Sequence, residues 1–293
     1  MSTAEPAQVT PETLRAWPLP EPDGGKEARG RVVVVGGSKQ TPGSVALAAE
    51  AALRAGAGKV TVATIESAAT QLGLLVPESR VCGLPENGAG LIALRSADQI
   101  VELSRECDVL QLGTGMVDPK RASRLLAAVL PHVDVPVVLD ALGSAYLTAN
   151  PGGLSHLGGR ALLSVNPVEL ARVAGAEEAE VAADPVEHAR AVAEKSSCVV
   201  LCGGEHKWAV SPDGRAWHVH GDLPGLGISG SGDVQAGLVS GLWARGAQPE
   251  QAAVWGAWLH ARAGARLQAE VGTLGYLARE LSALVPSIVS ELA

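Results

Sequence analysis

Short runs of unbroken hydrophobicity punctuate the chain, and stretches with apolar residues three and four apart lie between them. The runs are Arg31–Val35, Lys59–Ile65, Asp108–Leu112, Pro136–Asp140, Ala161–Val165 and Cys198–Leu201, each predicting a strand. Helical spacing covers Gly43–Ala55, Arg121–Leu130, Glu169–Ala174 and Pro185–Ser196. A strand covered on both faces has no polar side, so continuous rather than alternating hydrophobicity predicts a parallel sheet with helices on both faces. Alternation of strand and helix makes the class α/β. Lys207–Val210 and Ala216–Val219, joined by Ser211-Pro212-Asp213-Gly214, read as a hairpin. From Val234 onward the pattern is nearly all helical. Residues 1–30, rich in Pro, Gly and charge, predict an extended arm resting on the body or on a neighbouring subunit, and residues 31–293 a single domain.

Composition narrows this picture. A chain of 293 residues with 47% hydrophobic and 18% charged residues can build a sizeable core. Phe is absent, so that core must be Val, Leu, Ile and Ala, and the abundance of Ala and Gly predicts close packing of helices on the sheet. A net charge of −8 without a basic run excludes nucleic acid as the main partner. Cys82, Cys107, Cys198 and Cys202 show no metal or redox spacing and read as buried thiols. With no signal peptide or membrane-length apolar run in view, the expected location is the cytoplasm.

In parallel α/β sheets ligands sit beyond the C-terminal ends of the strands. Those ends carry Gly36-Gly37-Ser38, Gly113-Thr114-Gly115, Asp140, Asn166-Pro167 and Cys202-Gly203-Gly204, so glycines and polar groups converge on one edge. The run Pro224-Gly225-Leu226-Gly227-Ile228-Ser229-Gly230-Ser231-Gly232-Asp233 then opens a helix. A Gly-rich turn at a helix start offers unpaired N–H groups and the positive end of the dipole to a phosphate. An Asp there repels phosphate, and makes chemical sense as a base for a hydroxyl about to attack phosphorus. The plainer alternative is a turn with Asp233 as a helix cap.

These residues resemble a known family. Gly36-Gly37-Ser38, Pro42-Gly43-Ser44, Ala52-Leu53-Arg54-Ala55-Gly56-Ala57-Gly58, Asn166-Pro167 with Glu169-Leu170, and the Gly-rich run to Asp233-Val234 follow the order of the ADP-dependent NAD(P)H-hydrate dehydratases, members of the ribokinase-like superfamily. The resemblance spans about residues 12–290 and includes Gly272-Thr273-Leu274-Gly275-Tyr276. It implies a ribokinase-like fold and repair of hydrated NADH or NADPH, the S epimer, by phosphoryl transfer from ADP to the added hydroxyl, with Mg2+. Loss of phosphate, a far better leaving group than hydroxide, then restores the double bond and leaves AMP. Family members stand alone or are fused to an epimerase domain, and residues 1–30 leave no room for one.

Carried over residue by residue, the resemblance makes Asp233 the general base and Gly230, Ser231 and Gly232 the anion hole for the transferring phosphoryl group. Cys202, Gly203, Gly204, Glu205, His206 and Gly232 fall on nucleotide-binding positions, and Ser44, Gly115, Asn166 and Asp233 on positions facing the hydrated dinucleotide. No protein metal ligands are assigned. Two departures stand out. Where the family carries Pro-His-Pro-Gly-Glu, this chain has Val165-Asn166-Pro167-Val168-Glu169, and Asn166 does not titrate. Where the family has Lys-Gly-Ala, this chain has Cys202-Gly203-Gly204, with Lys207 either reaching back in its place or solvated on the hairpin. Asp140 could orient Mg2+ through water or cap the next helix.

The remaining candidates are weaker. His132, His156 and His188 have no metal spacing, and His218 and His220 share a strand face without a third ligand. Trp243, Trp255 and Trp258 read as packing residues. A ribokinase-like kinase of another small alcohol and a non-catalytic nucleotide-binding paralogue stand as alternatives. The expected partners are ADP and hydrated NADH or NADPH, with neither nucleic acid nor membrane, in a homo-oligomer, tetramer favoured.

Overall fold

The structure, a computed structural model, describes residues 5–221 and 223–292; Met1–Ala4 of the expected arm, Asp222 and Ala293 lie outside the described residues. The chain begins with β1 (Ala7–Gln8), α1 (Pro11–Arg15), β2 (Arg31–Val35), α2 (Ser44–Arg54), β3 (Lys59–Ile65), α3 (Glu66–Leu75) and β4 (Arg80–Leu84). It continues through α4 (Ala97–Ser104), β5 (Val109–Leu112), α5 (Pro119–Val129), β6 (Val137–Asp140), α6 (Ser144–Ala149), β7 (Ala161–Val165), α7 (Pro167–Ala174), α8 (Glu178–Ala183) and α9 (Pro185–Ser196). It closes with β8 (Val199–Cys202), β9 (His206–Val210), β10 (Ala216–His220), α10 (Ser231–Ala244), α11 (Pro249–Glu270) and α12 (Ala278–Ser290). The described strands form one sheet in the order β1-β10-β9-β8-β7-β6-β5-β2-β3-β4. Only the β8–β9 and β9–β10 pairs are antiparallel, so the sheet is mostly parallel, as the unbroken hydrophobicity predicts.

Alternation of side chains along each strand supplies two cores. Val32 and Val34 join Val60, Val62 and Leu162 beneath α2, α10, α11 and α12. Val33 and Val35 join Leu110, Leu112 and Leu163 on the other face, covered by α4, α5, α7 and α9. Each such Val or Leu contributes about 1.5–3 kcal/mol of burial. Helices α2 and α10 approach each other closely. A Cβ at Gly237 or Gly241 would collide with the backbone of Ala48 or Ala52. The close packing expected of helices on the sheet is thus found here between two helices.

Four differences from the sequence reading bear on the site. Helix α10 starts at Ser231, three residues before Val234, with Gly230 as its N-cap in the left-handed region at φ 90°. Cys202 is the last residue of β8 rather than the first of a loop. The segment between β3 and β5 holds α3, β4 and α4, which the hydrophobic pattern does not mark; β4 is an edge strand with half-exposed positions and Gly83 inside it, so its signal is weak. The N-terminal stretch is only partly extended. It contains α1, and β1 adds to the sheet with Gln8 opposite His218. It rests on its own chain: Leu14 is buried, Trp17 stacks on Trp217 with ring centroids 5.8 Å apart, and Trp255 Nε1 donates to the Trp17 carbonyl at 2.9 Å.

Candidate active site

A cleft of about 480 Å³ opens at the C-terminal ends of β6, β7 and β8, under the start of α10. Gly230 turns the chain into α10. Its left-handed φ suits glycine, and a Cβ there would strike Leu47 of α2. Ser231, Gly232 and Asp233 form the first helical turn, where backbone N–H groups lack helical acceptors. The Ser231 N–H is already directed at the Ile228 carbonyl, 3.2 Å away, which leaves Gly232 and Asp233 as the N–H groups pointing out of the turn. No side-chain hydrogen bond caps α10, so Asp233 is a first-turn acid rather than a cap.

Asp233 is held up to about 6. Burial raises it, a hydrogen bond from the Ser44 side chain opposes the rise, and the Glu169 carboxylate adds to it. Ser44 opens α2, and Gly115 packs against it so closely that a Cβ on Gly115 would lie 2.8 Å from Ser44 Cβ. The Thr41 hydroxyl locks this corner by donating to the Gly115 carbonyl at 2.7 Å. Ser44, Gly115 and Asp233 therefore meet, although they come from three distant parts of the sequence.

Asp140 ends β6 and lines the cleft, almost wholly buried. Burial first, then the Asp233 charge, push its carboxyl well above the usual range, against a hydrogen bond from Thr114. That bond closes a buried chain: Ser240 Oγ donates to Gln111 Oε1 at 2.8 Å, Gln111 Nε2 to Thr114 Oγ1 at 2.8 Å, and Thr114 Oγ1 to Asp140 Oδ2 at 2.9 Å. Ala141, next in line, has φ 48°. Left-handed backbone costs a non-glycine residue about 1–2 kcal/mol, so the turn after Asp140 stores strain at the cleft wall.

Asn166 and Glu169 sit at the start of α7 and line the opposite wall. Asn166 Oδ1 accepts from the Glu169 N–H at 2.9 Å, and Glu169 Oε2 accepts from the Asn166 N–H at 3.0 Å. These two bonds form a capping box, which the sequence reading did not draw from Asn166-Pro167-Val168-Glu169. The Asn166 side-chain oxygen is thus taken up by the cap, while its amide nitrogen is not part of it. Glu169 is raised by burial and lowered by its bond to Asn166.

Gly203, Gly204 and Glu205 line the third side. Cys202 and His206 do not. Strand alternation turns the Cys202 thiol into the core, where burial pushes it up to about 12. His206 begins β9 on the sheet face away from the cleft. The next residue inward does face it: Lys207 is 4% exposed, lines the cleft and donates from Nζ to Gln235 Oε1 at 2.5 Å. It is therefore not solvated. Burial brings it down to about 8.

The sequence reading missed Gln235, two residues past Asp233 on α10, and His260, on a helix without any motif. His260 Nε2 lies 3.0 Å from both the Ser231 hydroxyl and the Ser231 carbonyl. Burial, then the Lys207 charge, push His260 well below its usual value, so the ring is neutral and acts as a brace for the α10 turn.

Comparison with known proteins places the chain among its relatives. The family model described as NAD(P)H-hydrate dehydratase matches residues 32–287. The ADP-dependent (S)-NAD(P)H-hydrate dehydratase of Xanthomonas campestris pv. campestris is 43% identical over 284 residues, 97% of this chain and 96% of that protein. The bifunctional NAD(P)H-hydrate repair enzyme Nnr of Moorella thermoacetica is 34% identical over 94% of this chain, which spans 52% of that protein. Among solved structures, the ADP/ATP-dependent NAD(P)H-hydrate dehydratase of Bacillus subtilis, co-crystallized with ATP/Mg2+ and soaked with CoA, aligns with TM-score 0.80 at 23% identity, over 99% of this chain and 100% of that one. A ribokinase-like superfamily protein of Enterococcus faecalis V583 aligns at 0.83 and 20% identity, over 98% and 96%. The fold is ribokinase-like.

Proposed function

The chain belongs to the NAD(P)H-hydrate dehydratase family, and from that premise we propose that its cleft dehydrates the S epimer of hydrated NADH or NADPH at the expense of ADP, giving NAD(P)H, AMP and phosphate. The observation that carries the reading is Asp233: a carboxyl held near neutrality at about 6, in the first turn of a helix whose N–H groups face the same cleft. A base works best when its pKa lies near the operating pH.

In this reading Asp233 accepts the proton of the ring hydroxyl, whose oxygen attacks the terminal phosphorus of ADP while the bond to the AMP oxygen breaks. Gly232 and Asp233 N–H groups hold the phosphoryl oxygens as charge develops. Phosphate then leaves with the electron pair of its carbon–oxygen bond, and loss of the neighbouring ring proton restores the double bond. Lys207 supplies the cation that Cys202 does not, beside the Gly203-Gly204-Glu205 edge. Ser44 steers the Asp233 carboxylate and Gly115 leaves room for the ligand, while the Asn166 amide nitrogen is available to a carboxamide or ribose.

The donor set also fits Mg2+. Asp140, Glu169 and Asp233 line one cleft and are all raised, and the cleft cation Lys207 is bonded to Gln235. Hard carboxylate oxygens with surplus negative charge suit this ion, which characteristically uses one or two carboxylates together with substrate phosphates. Asp140 and Glu169 would hold it, and it would neutralise phosphate charge.

The proposal extends to a cytoplasmic homo-oligomer, with a tetramer as the expected state. Four free thiols suit a reducing compartment. The exposed Leu74, Leu75, Leu274 and Leu277 offer apolar contact area. No described helix is long and apolar enough to cross a membrane.

The deciding experiment mixes protein, Mg2+ and hydrated NADH with ADP or with ATP and follows the near-ultraviolet absorbance of reduced nicotinamide. Recovery with ADP supports the reading. A stable phosphorylated alcohol from another substrate, or ADP binding without recovery at high enzyme, would replace it with a kinase or a binding protein.

A further inference from the structure

The sheet face opposite the cleft carries a cluster that the dehydration does not use. His206 and His220 are directly paired across β9 and β10, and His218 lies two residues before His220 on the same side. Ring centroids are 5.0 Å apart for His206 and His218 and 5.3 Å for His206 and His220. One ring nitrogen of each lies within 4.8 Å of the others. The sequence shows no third ligand beside His218 and His220; in the fold His206, from the neighbouring strand, lies next to them, where linear spacing does not show it.

We propose that His206, His218 and His220 form a binding site for a zinc-class divalent transition-metal ion, with water completing its coordination.

The arrangement is built for a ligand rather than merely crowded. Gln8 Oε1, an acceptor, lies 2.8 Å from His218 Nδ1. That bond puts the proton on Nδ1 and leaves Nε2 as a lone pair facing the other two rings, the outer-shell device that orients metal-binding histidines. Nε2 sits 3.0 Å from His206 Nδ1. A zinc-class ion lies about 2.0–2.1 Å from each imidazole nitrogen, which spaces neighbouring nitrogens about 3.3 Å apart, so a small opening of this pair admits it. Trp208 stacks on His218 at 4.1 Å and 16°, holding the ring in place. Imidazole donors favour zinc, nickel and copper over magnesium, and three protein ligands with an open position leave room for water. The ion would tie β1, through Gln8, to the strand end from which Gly203-Gly204-Glu205 hang.

The test uses untagged full-length protein freed of metal with a chelator, titrated with Zn2+ against a chromogenic competitor and with Co2+ by visible absorption. One equivalent bound at micromolar or lower free metal, with a cobalt spectrum lacking thiolate charge transfer, is expected. His218→Ala should abolish it, and Gln8→Ala should weaken it about 10–100-fold. His220→Gln, at an exposed position, should lose the ion while keeping the metal-free melting profile of the parent. Absence of a stoichiometric site, a thiolate signature, or binding unchanged in His220→Gln would overturn the proposal. None of these outcomes depends on the dehydratase reading.

Discussion

The ammonium of Lys207 lies 2.5 Å from the side-chain oxygen of Gln235, joining β9 to α10 on the floor of the cleft. Four residues separate Lys207 from Cys202, the last residue of β8, whose thiol turns into the core. Under the proposed function, the cation expected at the end of β8 is supplied from the next strand.

Replacing Lys207 tests that transfer. Lys207→Met keeps the volume and removes the charge. Charge-assisted hydrogen bonds are worth about 1.5–3 kcal/mol, so the KM for ADP should rise roughly tenfold to a hundredfold while the fold is retained. Cys202→Lys in the parent should destabilise the protein, because it buries a second ammonium beside Lys207. Steady-state kinetics and thermal melts of both variants, and of the double exchange, decide the matter.

Asp233→Asn should leave ADP binding largely intact and lower turnover about 10²–10⁴-fold, the usual worth of a general base. Unchanged turnover would remove Asp233 from the reaction.

The same carboxyl sets two opposite pH trends. Activity requires the ionised form, so kcat/KM should rise as pH passes about 6. Stability runs the other way. The folded protein binds the Asp233 proton more tightly than the unfolded chain, so stability declines as pH rises from the usual carboxylate range through about 6. Above that window ionised Asp233 costs the fold roughly 1–3 kcal/mol. Asp233→Asn should therefore melt higher than the parent at about pH 8, and the gap should close near about pH 4. Paired melts at the two pH values check the sign.

Gly237→Ala should destabilise by about 1–3 kcal/mol or more, since its Cβ meets the Ala48 backbone rather than a movable side chain. Spreading α2 from α10 also draws Ser44 away from Asp233, so turnover should fall further than the melting point alone explains.

Asn166→Ala separates cap from ligand. Loss of the N-cap costs about 0.5–2 kcal/mol. A rise in the KM for the hydrate beyond that of a second α7 variant with the same melting point would assign the amide nitrogen to the substrate.

Strand and helix were legible wherever hydrophobicity was continuous or periodic: Arg31–Val35, Lys59–Ile65, Ala161–Val165 and Pro185–Ser196 begin and end where the pattern predicts. Edge strand β4 was not, because a half-exposed strand carries a diluted pattern. Asp233 and its glycines were legible because phosphate chemistry needs backbone N–H groups, and only glycine-rich sequence exposes them in that way.

The linear sequence thus determined the class of fold and the glycine-rich turn with its acid at the start of a helix, since these depend on local periodicity and local backbone freedom. Tertiary structure decided which side chains share a space. A shift of one residue along a strand sends a side chain to the opposite face, and so Cys202 is core, Lys207 is cleft, and His206 joins His218 and His220 on the far side. Strand pairing and helix crossing set those neighbours, and neither is written in the spacing along the chain.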